Sequence, residues 1–505
     1  MFDRILPSIC FYIALGLFGF AGCAATGRSR VSGLAKNEPS ASHQQNVASD
    51  MSSLAPDPQS QAEVKFASFN PAQDEPSSDS SYVEAGSADS VELGSLLEQA
   101  RSTMTLAEFE SIALNNNPTI AEMVATTQKA AGFRTQVGLR ANPFVGYDAT
   151  QIADAGTDQH TAFISQTIIT ADKLKFNRQV LNEALRSQLL ELEAQKYRVA
   201  TDVRVKFYQA LATQRQMNLI RDFQAIADKG VELATLRKKA GEGSQLDVVQ
   251  AKVQQNEIDL ALQQAQAKFD GAWRELVALA GTPEMSPMTL EGELPKSDIS
   301  VDWNDLVASI VVSSPEYQAS EVRVSQARVN LQRQCVQPIP NLNVNFGAGV
   351  DNGTNSGLMN LQVGAPLPVF NKNQGNIAAA RAELVRASRD MVRIENSIKA
   401  RVGAVSADYN SSLVAVKKYA TDILPNAEEG LKLAEIAYKA GETSFVQVLV
   451  ARRTYFDSNL EFLKSQTVLA QSRALVDGYV LTGSLDTIND YSGDASLRDL
   501  TLSQE

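Results

Sequence analysis

Histidine, cysteine and tryptophan are almost missing from this sequence. Its 505 residues include 2 His, 3 Cys and 2 Trp. Two histidines (His43 and His160) and three cysteines (Cys10, Cys23 and Cys335) cannot build a zinc ribbon or a disulfide framework, and they argue against a histidine-based catalytic site. The sequence also lacks a nucleophile elbow, a phosphate-binding loop and metal-ligand spacings. We therefore expect no enzyme, no metal site and no cofactor.

The net charge and the distribution of apolar residues argue against two further classes of protein, those that bind nucleic acids and those with membrane-spanning helices. The formal net charge of −12 argues against a nucleic-acid partner. After the first thirty positions no run of 18 apolar residues occurs, so the sequence predicts no membrane-spanning helix in the body of the chain. Hydrophobic residues nevertheless make up 44% of the chain, enough to bury a folded core.

The amino terminus is typical of an export signal. Arg4 and an apolar stretch over 5–21 precede Gly22 and Cys23. Small residues directly before a cysteine resemble the cleavage motif of bacterial lipoproteins, in which the cysteine thiol takes the lipid. We predict a signal peptide over 1–22 and lipidation at Cys23. A plain signal peptide and a single anchor helix are the alternatives.

Residues 23–103 are rich in Ser, Ala, Asp, Gln and Pro, and their apolar periodicity is weak. Such a segment cannot bury enough surface to offset its chain entropy. The sequence therefore predicts a lipidated, disordered tether over 23–103. At the other end we predict a flexible C-terminal tail over 484–505.

Between these ends the chain repeats itself. An internal duplication predicts a first unit over 104–302 and a second over 303–483. The matched positions are 197 apart for the first three pairs and 200 apart for the last: Pro118 and Pro315, Pro143 and Pro340, Lys175 and Lys372, and Gly241 and Gly441. A period near 200 is too long for a solenoid repeat, so the unit is large.

Each unit is predicted to contain a helix, two strands, a very long helix and a final helix. The first helices cover 105–139 and 303–337. No proline interrupts 171–241, which as one helix would be about 105 Å long. Its second copy, over 371–441, contains Pro425, where we expect a kink. A heptad-like apolar stripe on the first long helix predicts packing along other helices: Leu181, Leu185, Leu189, Leu192, Val199, Val203, Phe207 and Ala210.

The lengths of these helices also match. The first and last helices of a unit, laid end to end, would be about as long as the long helix. This match predicts coiled-coil pairs, with an ordinary helical bundle as the alternative.

The strands alternate between apolar and polar residues. In the second unit, 342–348 and 359–365 alternate and are joined by a polar loop, which predicts a hairpin. In the first unit 145–149 alternates clearly and 161–169 less so. Strands of nine or ten residues with one apolar face fit a tilted bilayer crossing. A hairpin packed on a soluble core is the alternative. Four strands cannot close a barrel alone, so several protomers would have to contribute.

Several motifs resemble the outer-membrane efflux protein family of TolC-like channels, in particular the CzcC- and CusC-like branch that serves heavy-metal exporters. They are Ala365–Glu383, Ile423–Glu428, Ala437–Phe445, Leu114–Pro118 and Ala141–Pro143. The resemblance covers about 105–483. It implies a mainly α protomer with long helical coiled-coil hairpins and four transmembrane strands. Three protomers would form a twelve-stranded barrel in the bacterial outer membrane, continued by an α-helical tunnel in the periplasm.

The resemblance also implies partners. A homotrimer in outer-membrane lipid would dock on a periplasmic adaptor and an inner-membrane resistance-nodulation-division pump. The channel itself would be passive. Its cargo would be heavy-metal cations. Alternatives are drug efflux, type I protein secretion and, from another class, a non-channel coiled-coil lipoprotein.

The two glycine-centred turns would be the periplasmic tips that contact the adaptor. The residues expected there are Lys239, Gly241, Glu242, Lys439, Gly441 and Glu442. Some family members narrow the entrance with two Asp residues three positions apart after the second tip. Those positions hold Gln447 and Val450 here, and Asp247 occupies the corresponding place in the first unit. Asp247, Gln447 and Val450 are thus the candidate entrance residues, with a solvated or salt-bridged turn as the alternative for Asp247.

Overall fold

A computed structural model describes residues 103–153, 156–296 and 300–492. The signal peptide predicted over 1–22, Cys23 and nearly all of the tether predicted over 23–103 lie outside these residues. Among the described residues no helix is both long enough and apolar enough to cross a membrane.

The first unit contains four strands and four helices. They are β1 (Thr103–Thr105), α1 (Leu106–Asn116), α2 (Pro118–Gln136), β2 (Phe144–Thr150), β3 (Gln159–Ile168), α3 (Lys173–Lys239), α4 (Gln245–Leu279) and β4 (Thr289–Glu291). The second unit repeats the order as α5 (Trp303–Ser313), α6 (Pro315–Val336), β5 (Leu342–Asp351), β6 (Ser356–Gly364), α7 (Gln374–Lys418), a π-helical segment (Tyr419–Ile423), α8 (Leu424–Ala440) and α9 (Phe445–Asp477). The predicted class, mainly α with a small β part, is confirmed.

The first helix of each unit is broken, contrary to the expected single helices over 105–139 and 303–337. Asn117 and Ser314 separate the two halves with extended backbones (ψ of 124° and 123°). Each precedes a proline, whose ring disfavours the helical conformation of the residue before it. Asn117 also caps α2, because its side chain accepts a hydrogen bond from Thr119 N at 3.0 Å.

The long helix α3 forms as one continuous element of 67 residues, about 100 Å long. It packs against α1, α2, α4, α6 and α9. Its buried stripe agrees with the prediction at Val199, Val203 and Phe207 but not at Leu189, which is 49% exposed.

The end-to-end arrangement of the shorter helices along α3 is confirmed. Asn117 Nδ2, at the start of α2, donates to the carbonyl oxygen of Leu279, the last residue of α4, at 2.8 Å. Gly281 turns the chain here with a φ of 73°, and a Cβ at this position would lie 2.4 Å from Asn116 O. Only glycine permits so close an approach at this dihedral angle. The largest core cluster, which includes Phe109, Phe207 and Trp273, surrounds this junction.

The second long helix is interrupted where Pro425 predicted a disturbance. The five residues Tyr419–Ile423 form a π-helical segment directly before α8. A proline ring clashes with the carbonyl of the residue four positions earlier, and a wider helical turn relieves that clash. The Leu424 N–H accordingly bonds to Tyr419 O, five positions back.

The four predicted strands form one antiparallel sheet in the order β2-β3-β5-β6. Cross-strand partners lie on the same face, so the pairing separates an apolar from a polar face. The apolar face carries Val145, Tyr147, Ile164, Phe346, Val350, Leu361 and Val363. The polar face carries Asp148, Thr161, Asn343, Asn345, Asn360 and Gln362. The predicted hairpin of the second unit is confirmed as β5 paired with β6.

Phe163 explains why the alternation of β3 was weak. It lies on the polar face, opposite Gly146 and Gly347. A Cβ on Gly146 would lie 2.4 Å from the Phe163 ring. The partner strands therefore leave room for this ring by carrying glycine.

The sequence missed a second, smaller sheet. The expectation of four strands in all is wrong, because β1 and β4 pair in parallel beside the core. Each has only three residues, too few for an alternation to be recognised. Cys335 is exposed.

The match of Lys175 with Lys372 is also corrected. α3 and α7 each begin after a residue with left-handed backbone, Asp172 (φ 55°) and Asn373 (φ 59°). These two residues are the structural equivalents. Lys372 precedes its helix, whereas Lys175 lies inside the first turn of α3.

The predicted flexible tail does not begin at residue 484. The backbone N–H groups of Gly483 and Ser484 donate to Asp202 Oδ2 at 3.0 and 2.8 Å, and Tyr491 N donates to Gln188 Oε1 at 3.1 Å. The Arg323 guanidinium lies 4.6 Å from the centre of the Tyr491 ring. Residues 483–492, which we call the C-terminal strap, are thus bound to the helices. Residues 493–505 lie outside the described residues.

Candidate functional site: the paired tip turns

Both glycine-centred turns end their helices in the same way. Gly241 and Gly441 have φ angles of 79° and 77°. Glu242 N donates to Arg237 O and Glu442 N to Ala437 O, both at 2.9 Å. The glycine N–H groups close the inner bonds to Lys238 O and Tyr438 O at 3.1 Å. This is the Schellman motif, in which a left-handed residue satisfies the last carbonyls of a helix.

The helices that leave the turns are capped differently. Ser244 and Asp247 form a capping box: Ser244 Oγ accepts from Asp247 N at 3.1 Å, and Ser244 N donates to Asp247 Oδ2 at 3.0 Å. In the second turn the Ser444 side chain makes no cap hydrogen bond, and Gln447 occupies the third helical position. Asp247, a candidate entrance residue, therefore serves as a helix cap.

The two turns pack against each other. The Arg237 guanidinium lies 4.5 Å from the centre of the Tyr438 ring, and that ring lies 5.4 Å from the Phe445 ring. Phe445 is buried with three residues of the first turn's helices, Ala234, Val248 and Ala251. The structure therefore brings the two predicted tips together as one surface.

The charged tip residues are exposed. Lys239, Glu242, Lys439 and Glu442 all face solvent. Glu242 lies 4.0 Å from Arg237, at the limit of an ion pair, and its side chain is 69% exposed. Such a pair contributes little stability. These four side chains are available to a partner surface.

Of the other candidate entrance residues, Val450 and Gln447 are exposed on α9, and Val450 lines a groove. The groove has a volume of about 420 Å³ and lies between α4 and α9, with Phe223 of α3 among its lining residues. Gln250, which corresponds to Val450 in the first unit, lines it as well. Residues at matching positions of the two units thus meet in one groove.

Two polar atoms beside this groove lack partners. Within the described part of the chain, Gln250 Oε1 and Arg452 Nη1 are buried without a hydrogen bond. The rest of the Arg452 guanidinium bonds to Glu435 Oε1 at 2.8 and 3.2 Å. Sequence reasoning missed Arg452 because its ion pair with a residue 17 positions earlier depends on how α8 packs on α9. Over the described ranges, no three His, Cys, Asp or Glu side chains converge in a way that could hold a metal ion.

The protomer defined by these features is a duplicated helix–strand–strand–helix protein whose small sheet has one exposed apolar face. It belongs to the outer membrane efflux protein family: the family profile matches residues 111–282 and 306–478, one segment in each unit.

The chain is also similar to known resistance and efflux proteins. It is 28% identical over 259 residues to the "Cobalt-zinc-cadmium resistance protein CzcC" of Cupriavidus metallidurans, a match that covers 51% of this chain and 61% of that protein. It is 23% identical over 397 residues to the "Toluene efflux pump outer membrane protein TtgF" of Pseudomonas putida, covering 72% of this chain and 80% of the relative. Among solved structures, CusC superposes with a TM-score of 0.62 at 15% identity, covering 75% of this chain and 92% of that one. This likeness concerns the fold.

Proposed function

We propose that this chain is the outer-membrane channel subunit of a tripartite efflux system and acts as a passive conduit. The observation that carries the proposal is the four-stranded sheet, with an apolar face on one side and an amide-rich face on the other. Exposed apolar side chains such as Val145 (72%) and Met359 (74%) would be costly in water and favourable against lipid tails.

The open edges of this sheet support assembly into a trimer. Within the described residues β2 and β6 each pair on one side only. Unpaired strand edges are not tolerated in a bilayer, so the sheet must be closed by other copies. Three protomers would supply twelve strands, an even number within the range of known barrels. The helical hairpins would continue the barrel as a tunnel.

The tip surface is the proposed contact for a periplasmic adaptor, and through it for a resistance-nodulation-division pump. Its support is the exposure of Lys239, Glu242, Lys439 and Glu442 around the two glycine-centred turns. Exposed charged side chains suit a docking surface, because they can meet complementary charges on a partner. Lipidation at Cys23 would tether the subunit to the membrane, a proposal that rests on the sequence motif.

The proposed cargo is heavy-metal cations. The likeness to a cobalt-zinc-cadmium resistance protein supports it. A conduit needs no metal ligands of its own, because the pump supplies both selectivity and energy. Export of organic compounds is the second candidate, supported by the longer match to a toluene efflux protein.

The assembly can be tested by mass. We expect the purified chain in detergent to have the mass of three protomers and to migrate on a denaturing gel according to whether it was heated. A matched sample of an edge variant, Tyr147→Pro, should lose the trimer because proline removes a strand donor. A monomer of the unaltered chain would contradict the proposal.

The cargo can be tested by growth. Deletion of the gene should lower tolerance to zinc, cobalt and cadmium, and the unaltered gene should restore it. The same strains are grown with toluene and a dye panel as the second arm. If metal tolerance is unchanged and solvent tolerance is lost, the cargo is organic compounds and not metal cations. Unchanged tolerance to all compounds would refute the efflux role.

A further inference from the structure

A strongly basic cavity lies where the end of α2, the end of β3 and the start of α3 meet. Its volume is about 590 Å³. Five cationic side chains and one carboxylate line it: Arg134, Arg140, Lys173, Lys175, Arg178 and Asp172. They come from two segments, 134–140 and 172–178, which the packing of α2 against α3 brings together. None of these residues belongs to the tip surface.

Among the residues that the structure describes, no carboxylate forms an ion pair with any of the five cations. Ion pairs elsewhere in the described residues join neighbouring helices, as between Arg204 and Glu110 or between Arg323 and Glu191, but none involves a cation of this cavity. Like charges held close together repel one another unless an anion lies between them. Asp172 alone offsets one of the five charges.

Two of the cations are held in place by close backbone contacts. Arg178 Nη2 donates to Gly138 O at 3.2 Å, and a Cβ at Gly138 would lie 1.8 Å from Arg178 Nε. Glycine is therefore required for the guanidinium to lie where it does. Lys173 is only 7% exposed, and its ammonium donates to two neutral acceptors, Ile339 O and, at 3.0 Å, Asn341 Oδ1.

Burial without a counter-ion is costly for an ammonium group. Desolvation lowers the pKa of Lys173. One of its three N–H donors remains after these two bonds. A bound anion would compensate both the burial and the repulsion between the neighbouring cations.

The start of α3 adds to the positive field. Asp172 is its N-cap residue, but the Asp172 side chain makes no cap hydrogen bond. Lys173 N donates to Thr170 O at 3.4 Å, and no described side chain caps the first turn. The positive end of the helix dipole lies at the same region.

We propose that this cavity binds a phosphate group, supplied by the headgroup of an anionic phospholipid. Exposed apolar side chains flank the cations: Leu139 (49%) adjoins Arg140, Ile168 (48%) ends β3, and Ile339 (48%) lies at Lys173. Cations beside exposed apolar side chains match a phosphate attached to acyl chains. The phosphate chemistry rests on the cavity alone. The lipid source rests on the proposed function, under which the strand ends mark the surface of the membrane.

The test is retention of phosphatidylglycerol by the purified full-length chain, followed by native mass spectrometry. Phosphatidylcholine and inorganic phosphate are the comparison probes. The double variant Arg140→Gln/Arg178→Gln should bind phosphatidylglycerol at least about tenfold more weakly, because two charge-assisted contacts are lost. The control is Arg186→Gln, which removes one positive charge by the same substitution at an exposed site of α3 outside the cavity. It should bind like the unaltered chain.

Each outcome decides a separate point. Equal binding by the double variant, or an equal loss in the control, would overturn the site. Displacement of the lipid by inorganic phosphate at similar concentration would keep the phosphate site and overturn the lipid source. Equal retention of phosphatidylcholine would overturn recognition of a net negative headgroup. The measurement needs neither pump nor cargo, so its result is independent of the efflux tests.

Discussion

At the scale of single residues, glycines with left-handed backbone are required for two different reasons. Gly241 and Gly441 face open space, so only the dihedral angle requires glycine there. Gly281 adds a steric requirement, because Asn116 O would lie 2.4 Å from a Cβ. The tip glycines could be recognised from the sequence as turn residues. The close contact at Gly281 could not, because it joins the ends of two helices far apart in the chain.

Substitution of Gly441 by alanine should measure the cost of the left-handed backbone without a steric contribution. We expect Gly441→Ala to destabilise the protein by about 1 kcal/mol, the cost of left-handed backbone in a residue with a Cβ. Gly430→Ala, in the interior of α8 with open space around it, should stabilise by roughly 1 kcal/mol. Thermal unfolding of the purified variants measures both shifts. If the unfolding temperature changed equally in the two variants, the left-handed backbone at Gly441 would not be the cause of the destabilisation.

The two cap serines give a second pair of matched variants. Ser244→Ala should cost about 1 kcal/mol, because it removes half of a capping box. Ser444→Ala should be nearly neutral, since the Ser444 side chain makes no cap hydrogen bond. Denaturant midpoints compare the two. If Ser444→Ala lost as much stability as Ser244→Ala, the difference in cap hydrogen bonding would not contribute to stability.

At the scale of elements, the long helices differ although their sequences suggested copies. α3 is continuous, whereas its counterpart is divided by the π-helical segment before Pro425. In α3 the second half buries Ile220 and Phe223, but α8 has no buried residue within the described protomer. The proline made the position of the interruption predictable. Its form, a wider turn rather than a simple kink, depends on which carbonyl the next free N–H reaches.

The C-terminal strap and α6 together bury polar side chains on the first half of α3. Gln188 and Glu191 are buried there, and Leu189 is exposed. Gln188 accepts a hydrogen bond from the strap, and Glu191 pairs with Arg323 at 2.7 Å. A heptad pattern assumes that apolar side chains define the buried stripe, so it could not predict polar residues that are buried by partners distant in the sequence.

Attachment of the strap should depend on pH through Asp490. Burial alone would raise the pKa of this carboxyl, but hydrogen bonds from Lys129 and Ser492 outweigh it and hold the pKa below its usual value. A carboxyl group whose pKa is lowered on folding stabilises the folded form at pH values above its unfolded pKa of about 3.9. This stabilisation is lost as the pH falls through the pKa of the folded form. Hydrogen exchange of residues 484–492 should therefore increase, relative to α3, below about pH 4.

A matched variant identifies the group responsible. Lys129→Met removes the partner of Asp490 at 2.8 Å and should weaken the pH dependence while leaving exchange in α4 unchanged. An undiminished pH response in this variant would assign the effect to another carboxylate.

At the scale of the whole molecule, the duplication explains the sheet. Each unit supplies one hairpin, and β3 pairs with β5 to join them. Two hairpins make a sheet with an apolar face and two open edges, too small to close by itself. The two units differ in their loops and helix breaks. Residues at matching positions of the two units nevertheless lie together near the tips, where Gln250 and Val450 line one groove.

The sequence by itself determined the duplication, the helices, the four main strands and the tip glycines. These features depend on local chemistry: periodicity, proline, and the backbone freedom of glycine. Only the tertiary structure decided the pairing of β1 with β4, the strap, and the basic cavity. Each of these joins groups far apart in the chain, and a one-dimensional pattern carries no information on which distant side chains become neighbours.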